Sequence, residues 1–288
     1  MGQHDDRVLW PTILLFVGLV LALSAPLDVL LIGAGRLDIG RGFPIHLLMW
    51  TPAVAALITC RAARIDLEFL GLSRLAAKST LLGYLIVVGY AVPTFAFLWI
   101  TGLAALDWRG FCTSAAQLYH PVGNAPLLAI GFTLTFGVVQ SLASAMGEEI
   151  GWRGFLVPAL RSRLGLGATF VTSGLIWALW HFPLVIFADY GSETPLLFQL
   201  LCFTVMIIAT GTIYGLIRLR SGSVWPAALM HALHNALIQW LLDPMTDERQ
   251  PGAWYGGEFG AGLAVAATLV AAIMLARARG RSQKLGSP

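Results

Sequence analysis

Eight apolar runs, each about as long as a bilayer is thick, constrain this chain more than any other feature. A helix needs about 20 apolar residues to cross the hydrocarbon core. Runs of that kind occupy roughly residues 8–32, 43–60, 79–105, 127–157, 167–188, 196–217, 223–242 and 258–276. Only 11% of the 288 residues are charged, against about 25% in a soluble domain. The predicted fold class is therefore all-α: a polytopic membrane bundle of eight transmembrane helices, one domain over residues 1–288. No internal repeat or low-complexity linker divides it. The first run is too long for a signal-peptide core, although Ala22-Leu23-Ser24 resembles a cleavable end, and it is read as a retained helix.

The distribution of charge tests this count. With eight crossings, one side holds Arg7, Arg61, Arg64, Arg74, Lys78, Arg153, Arg161, Arg163, Arg218, Arg220, Arg277, Arg279, Arg281 and Lys284. The other holds only Arg36, Arg41, Arg109 and Arg249, while the acids Asp189, Glu193, Asp243, Asp247, Glu248 and Glu258 fall there too. The positive-inside rule then puts both termini in the cytoplasm of a multi-pass cell-membrane protein. The loop from Arg61 to Lys78 mixes Leu67, Phe69, Leu70, Leu72 and Leu75 with charges, which fits either an amphipathic segment on the inner membrane face or a plain solvated loop. Trp10, Trp50, Trp108, Tyr119, Trp225, Trp240, Trp254 and Tyr255 cluster near helix ends as an aromatic belt does. Cys60, Cys112 and Cys202 form no CxxC pair and read as small core residues. Asp28 is an acid inside the first run with no evident partner.

Three polar stretches interrupt the apolar pattern and carry the candidate chemistry. In Gly147-Glu148-Glu149-Ile150-Gly151-Trp152-Arg153 two adjacent carboxylates sit inside the fourth run. Charge there is costly and marks function by default. Trp177-Ala178-Leu179-Trp180-His181 and His231-Ala232-Leu233-His234-Asn235 put histidine inside the fifth and seventh runs. At 1.5 Å per residue, Glu148, His181 and His231 lie about 15, 21 and 12 Å from the basic ends of their helices. A common middle layer is thus within reach, with a cavity open to the cytoplasm. Glu149 and Arg153, at i,i+4, are placed to form a buried ion pair, and Glu148 is turned about 100° away from it. His231 and Asn235 also share a face at i,i+4. His234 is read as a supporting or helix-packing hydrogen bonder.

These stretches resemble the motifs of a known family. EEIGWR matches EExxxR, Trp177 to His181 stands where FxxxH is usual, and HALHN matches HxxxN. The chain resembles the CAAX-protease and bacteriocin-processing (CPBP, or Abi) intramembrane endopeptidases, related to the type II CAAX prenyl endopeptidase. The motif-bearing core covers about residues 127–242. The resemblance implies hydrolysis of a peptide bond near the C-terminus or membrane-proximal part of a lipidated or membrane-associated protein or peptide, prenylated ones included. It implies Glu148 as general base, His181 as the residue helping to hold and deprotonate water, His231 and Asn235 as oxyanion donors, and Glu149 and Arg153 as supports. No cofactor is expected. Zinc on Glu148, His181 and His231 is the lesser alternative, since no HExxH is present. The expected partners are membrane lipid and a peptide or protein substrate, with no nucleic acid. Two other classes compete: a proton-coupled transporter, which usually shows paired halves, and a non-catalytic bacteriocin-immunity type factor, in which a motif position is expected to be degraded. Neither mark is visible.

Overall fold

A computed structural model of the chain describes residues 8–118, 126–247 and 251–285. Tyr119, Glu248, Arg249 and Arg7, named in the charge and aromatic readings, lie outside the described residues. The fold is a helical bundle, as the apolar runs predict. The helices are α1 (Trp10–Ala34), α2 (Phe43–Ala63), α3 (Ala77–Thr101), a short α4 (Trp108–Leu118), α5 (Leu127–Arg161), α6 (Leu166–Phe187), α7 (Leu196–Ser221), α8 (Trp225–Leu237) and α9 (Ala261–Leu285). Pro11 at the start of α1 and a left-handed Gly35 after it mark that helix's ends, where proline lacks only an orphan N–H and glycine has no Cβ to strain. Gly102 and Gly222 end α3 and α7 in the same way. The strands β1 (Ala105–Leu106) and β2 (Thr246–Asp247) pair antiparallel beside α4.

Among the described residues, seven helices are long and apolar enough to cross a membrane: α1, α2, α3, α5, α6, α7 and α9. The run at 223–242 is helical too, as α8 followed by a π-turn over Ile238–Leu242. It misses that standard because His231, His234, Asn235 and Gln239 fall within it. Its packing explains how such a helix is tolerated. α8 lies against α5, α3 and α7, and of its residues only Trp225, Leu229 and Asn235 are not buried. The outer helices show the opposite pattern: Leu14, Leu21, Val29 and Leu30 of α1 project outward, as lipid-facing residues do. Eight crossings with both termini on one side remains the expectation that the charges supply.

Arg153, counted with the basic side, is 1% exposed inside α5, as the buried pairing with Glu149 requires. The segment after α2 is docked at the basic end of the bundle. Its 3₁₀ turn, Leu67–Leu70, is capped by Asp66 accepting from the Glu68 N–H at 2.8 Å. Leu70 is buried and Phe69 meets Phe155 of α5 edge-on at 5.9 Å. Arg218 donates to the Phe69 carbonyl at 2.7 Å, the Val224 N–H to Gly71 at 3.0 Å, and the Trp225 indole to Leu72 at 2.8 Å. The segment is thereby stapled across the ends of α7 and α8, with Leu67 and Leu75 left pointing outward. Of the three cysteines, Cys60 is buried and Cys112 and Cys202 are partly so.

Candidate active site

The site begins with a close approach of two helices. A Cβ on Gly147 would sit 2.6 Å from the Met49 carbonyl oxygen of α2, and one on Gly151 would press into Pro52. Glycine at both positions lets the α2 backbone lie directly on α5. This contact packs one face of α5 and leaves the carboxylates between the glycines to turn elsewhere. From Ile150 to Leu156 the helix widens into a π-turn, a distortion often found at functional positions. The i,i+4 pair survives the widening, with Arg153 Nη1 donating to Glu149 Oε1 at 2.7 Å and both side chains buried.

Glu149 serves a second partner. His231 Nδ1 lies 3.0 Å from the same Oε1. An ionised carboxylate only accepts, so Nδ1 carries the proton and Nε2 is the nitrogen left for the cavity. Asn235, one turn further along α8, lines the cavity and makes no side-chain hydrogen bond among the described residues. Its amide donors are therefore uncommitted.

Glu148 turns away from the pair, as the helical spacing predicts. Its Oε2 accepts from the Trp177 indole N–H at 2.7 Å and lies 3.9 Å from His181 Nε2. One turn along α6, His181 Nδ1 lies 2.9 Å from the Trp177 carbonyl. A carbonyl can only accept, so this bond leaves Nε2 as the bare nitrogen facing Glu148. Arg153 closes the assembly, with Cζ 4.0 Å from the Trp177 ring centroid and 5.3 Å from that of Tyr214.

Glu148, His181, His231 and Asn235, carried on α5, α6 and α8, line one cavity of about 200 Å³. A water occupies about 30 Å³ of liquid volume, so several fit. The wall also includes Leu184, Phe203, Met206 and Ile207. A second polar cluster on the same wall was not foreseen. Glu258 receives three groups: His234 Nε2 at 3.0 Å, Gln239 Nε2 at 3.0 Å and the Tyr190 hydroxyl at 3.1 Å. Tyr90 completes the chain, its hydroxyl 2.6 Å from His234 Nδ1. His234 is thus a hydrogen bonder between helices. Glu258 and Tyr190 carry no motif and read as loop residues, and nothing in the local pattern sets them apart.

The cavity's lining also takes Leu37, His46, Tyr190, Gln239 and Glu258 from the end of the bundle away from the basic one, while the segment stapled through Arg218 and Trp225 lies at the basic end. An opening to the cytoplasm remains an expectation from the depths of the motif residues.

Among the described residues no three His, Cys, Asp or Glu side chains are grouped as a metal site. The alternative of zinc on Glu148, His181 and His231 thus finds no such grouping in this arrangement.

Residues 130–237 match the family described as "Type II CAAX prenyl endopeptidase Rce1-like". The matched stretch contains all three motifs and stops short of Gln239 and Glu258. A curated relative, CAAX prenyl protease 2 of Methanococcus maripaludis, is 46% identical over 44 residues. That alignment spans 15% of this chain and 16% of the relative. The resemblance read from the three motifs is thus found independently over the same region, and at the level of the family it supports an intramembrane endopeptidase.

Proposed function

We propose, from the premise that residues 130–237 resemble a type II CAAX prenyl endopeptidase domain, that this integral membrane protein cleaves peptide bonds with a glutamate-activated water. The observation that carries the reading is that Glu148, His181, His231 and Asn235 line one cavity, with Glu148 Oε2 and His181 Nε2 3.9 Å apart. That gap is too long for a direct hydrogen bond and is the span of one bridging water. A water held there donates one proton toward Glu148 and one toward His181.

In the reaction, the water oxygen attacks the scissile carbonyl carbon while its proton passes to Glu148. The carbonyl oxygen becomes an oxyanion, met by the Asn235 amide and by His231 Nε2 when that ring carries both protons, with Glu149 as its counter-ion. Collapse breaks the C–N bond, and the proton held by Glu148 passes to the departing amine. The substrate is a lipidated or membrane-associated peptide or protein cut near its C-terminus or membrane-proximal part. The apolar wall of Leu184, Phe203, Met206 and Ile207 suits an apolar side chain or lipid group.

The test begins with proteomics of membranes with and without the active protein, to find new C-terminal ends and supply a cognate peptide. Glu148→Gln keeps the shape and removes the base, and should lower turnover about 10²–10⁴-fold. Full activity in that variant refutes the mechanism. Activity lost to chelator and restored by zinc refutes its metal-free form.

A further inference from the structure

We propose that Trp177 is the positioning residue of the base: its indole N–H holds the Glu148 carboxylate, and Arg153 acts on the site through its ring. The proposal rests on the reading of Glu148 as base. Trp177 touches four members of the site in four ways. Its Nε1–H donates to Glu148 Oε2 at 2.7 Å, and its carbonyl lies 2.9 Å from His181 Nδ1. Its ring face carries the Arg153 guanidinium at 4.0 Å, and its ring meets His231 at 5.4 Å and 72°. The side chain is buried.

The chemistry of indole makes this hold one-directional. Indole N–H donates and never accepts. It therefore fixes one carboxylate oxygen without competing for the proton that the reaction moves. Oε2 takes the indole bond on one lone pair and keeps the other for the water that bridges to His181 Nε2, and Oε1 makes no hydrogen bond to any described residue. A hydrogen bond to a charged acceptor is stronger than a neutral one, and a carboxylate held in one orientation reaches a water repeatedly in the same geometry. The ring is itself fixed from above, because a planar guanidinium stacks on an aromatic face and an ammonium does not stack in that way. Arg153 thus joins the two halves of the site. Through Glu149 it is tied to His231, and through Trp177 to Glu148.

Phenylalanine is the usual residue of the resembled motif at this position. It keeps an aromatic ring and the backbone carbonyl, removes the N–H, and leaves a gap where the rest of the indole lay. Trp177→Phe therefore tests the N–H with the melting temperature read alongside. In the full-length protein with a cognate peptide, kcat should fall about 10–100-fold, the worth of one hydrogen bond to a charged group. KM should not move, since a positioning role splits kcat from KM, while the melting temperature should fall with the lost packing volume. In the Glu148→Gln background the substitution should have no further effect. Arg153→Lys, which keeps the charge opposite Glu149 but lacks the planar face, should lower kcat in the same direction, again only when Glu148 is present. It also serves as the readout if Trp177→Phe fails to fold. Unchanged kcat in these variants while Glu148→Gln is inactive overturns the positioning role alone. So does a loss confined to KM, or one that adds fully to that of Glu148→Gln. A fully active Glu148→Gln overturns the base itself.

Discussion

Replacing Glu149 by leucine should unfold the protein before it reports on catalysis, and the structure sets the size of the effect. Glu149 is 0% exposed and Arg153 1%, so neither charge has water to fall back on. Removing one partner of a buried pair costs about 3–5 kcal/mol. Two details place this case in the upper part of that range. Arg153 Nε already lacks a hydrogen-bond partner, so without Glu149 the guanidinium keeps only its stacking on Trp177 and Tyr214, about 0.5–2 kcal/mol. The same substitution also strips His231 Nδ1 of its acceptor. A loss of that size is a large share of the roughly 5–15 kcal/mol that separates folded from unfolded proteins. The assay is unfolding in detergent micelles, followed by helicity, for Glu149→Leu and for Glu149→Leu/Arg153→Met. The double variant puts apolar side chains where the pair was, a change that is often neutral or stabilising, so it should recover most of the lost stability. It should stay inactive, because His231 and Trp177 have lost their supports. The reasoning is refuted if the single variant melts like the parent, or if the double variant is no more stable than the single.

Further outcomes can be measured alongside it. Asn235→Ala should slow turnover about 10²–10³-fold by removing an oxyanion donor, and Asn235→Asp should be slower still because it brings negative charge beside the oxyanion; steady-state kinetics on one peptide decides this. Gly147→Ala should cost about 1–3 kcal/mol through overpacking, since its new Cβ meets the α2 backbone at 2.6 Å, and the same micelle unfolding reads it. A reporter fused at the C-terminus should signal the same side as one fused at the N-terminus if the chain crosses eight times; opposite signals would show an odd number of crossings.

The apolar runs made the bundle legible because the bilayer demands length and composition and little else of a helix. They placed α1, α2, α3, α5, α6 and α7 within a few residues, and α9 too except that it runs on to Leu285, nine residues past the apolar run. The same reasoning marked the site, since Glu148, Glu149, His181, His231 and Asn235 are out of place in such runs unless something there uses them. The i,i+4 rule found the Glu149–Arg153 contact but could not show that His231 shares Glu149, because that bond joins helices 82 residues apart. Trp177 was visible as the start of the second motif, but its bond to Glu148 was not, because a sequence shows a ring and not what its N–H faces. Glu258 was hidden for a related reason. An acid near a helix end is ordinary, and only the fold brings His234, Gln239 and Tyr190 to it. The staples from Arg218 and Trp225 to the preceding segment were not legible either, because they are long-range contacts with no local pattern.

The enclosed position of α8 bears on how the protein is made. A segment carrying His231, His234, Asn235 and Gln239 partitions poorly into lipid by itself, since each polar group left unsatisfied there costs free energy. If the chain crosses eight times, this segment has to enter the bilayer in company, with α7 before it and α3 and α5 already in place to receive its polar face. Insertion and assembly of the candidate site then become one event. A nascent chain stopped after α8 but lacking its earlier helices should fail to retain that segment in the membrane. Making the segment apolar enough to insert alone would require giving up the residues that the site is made of.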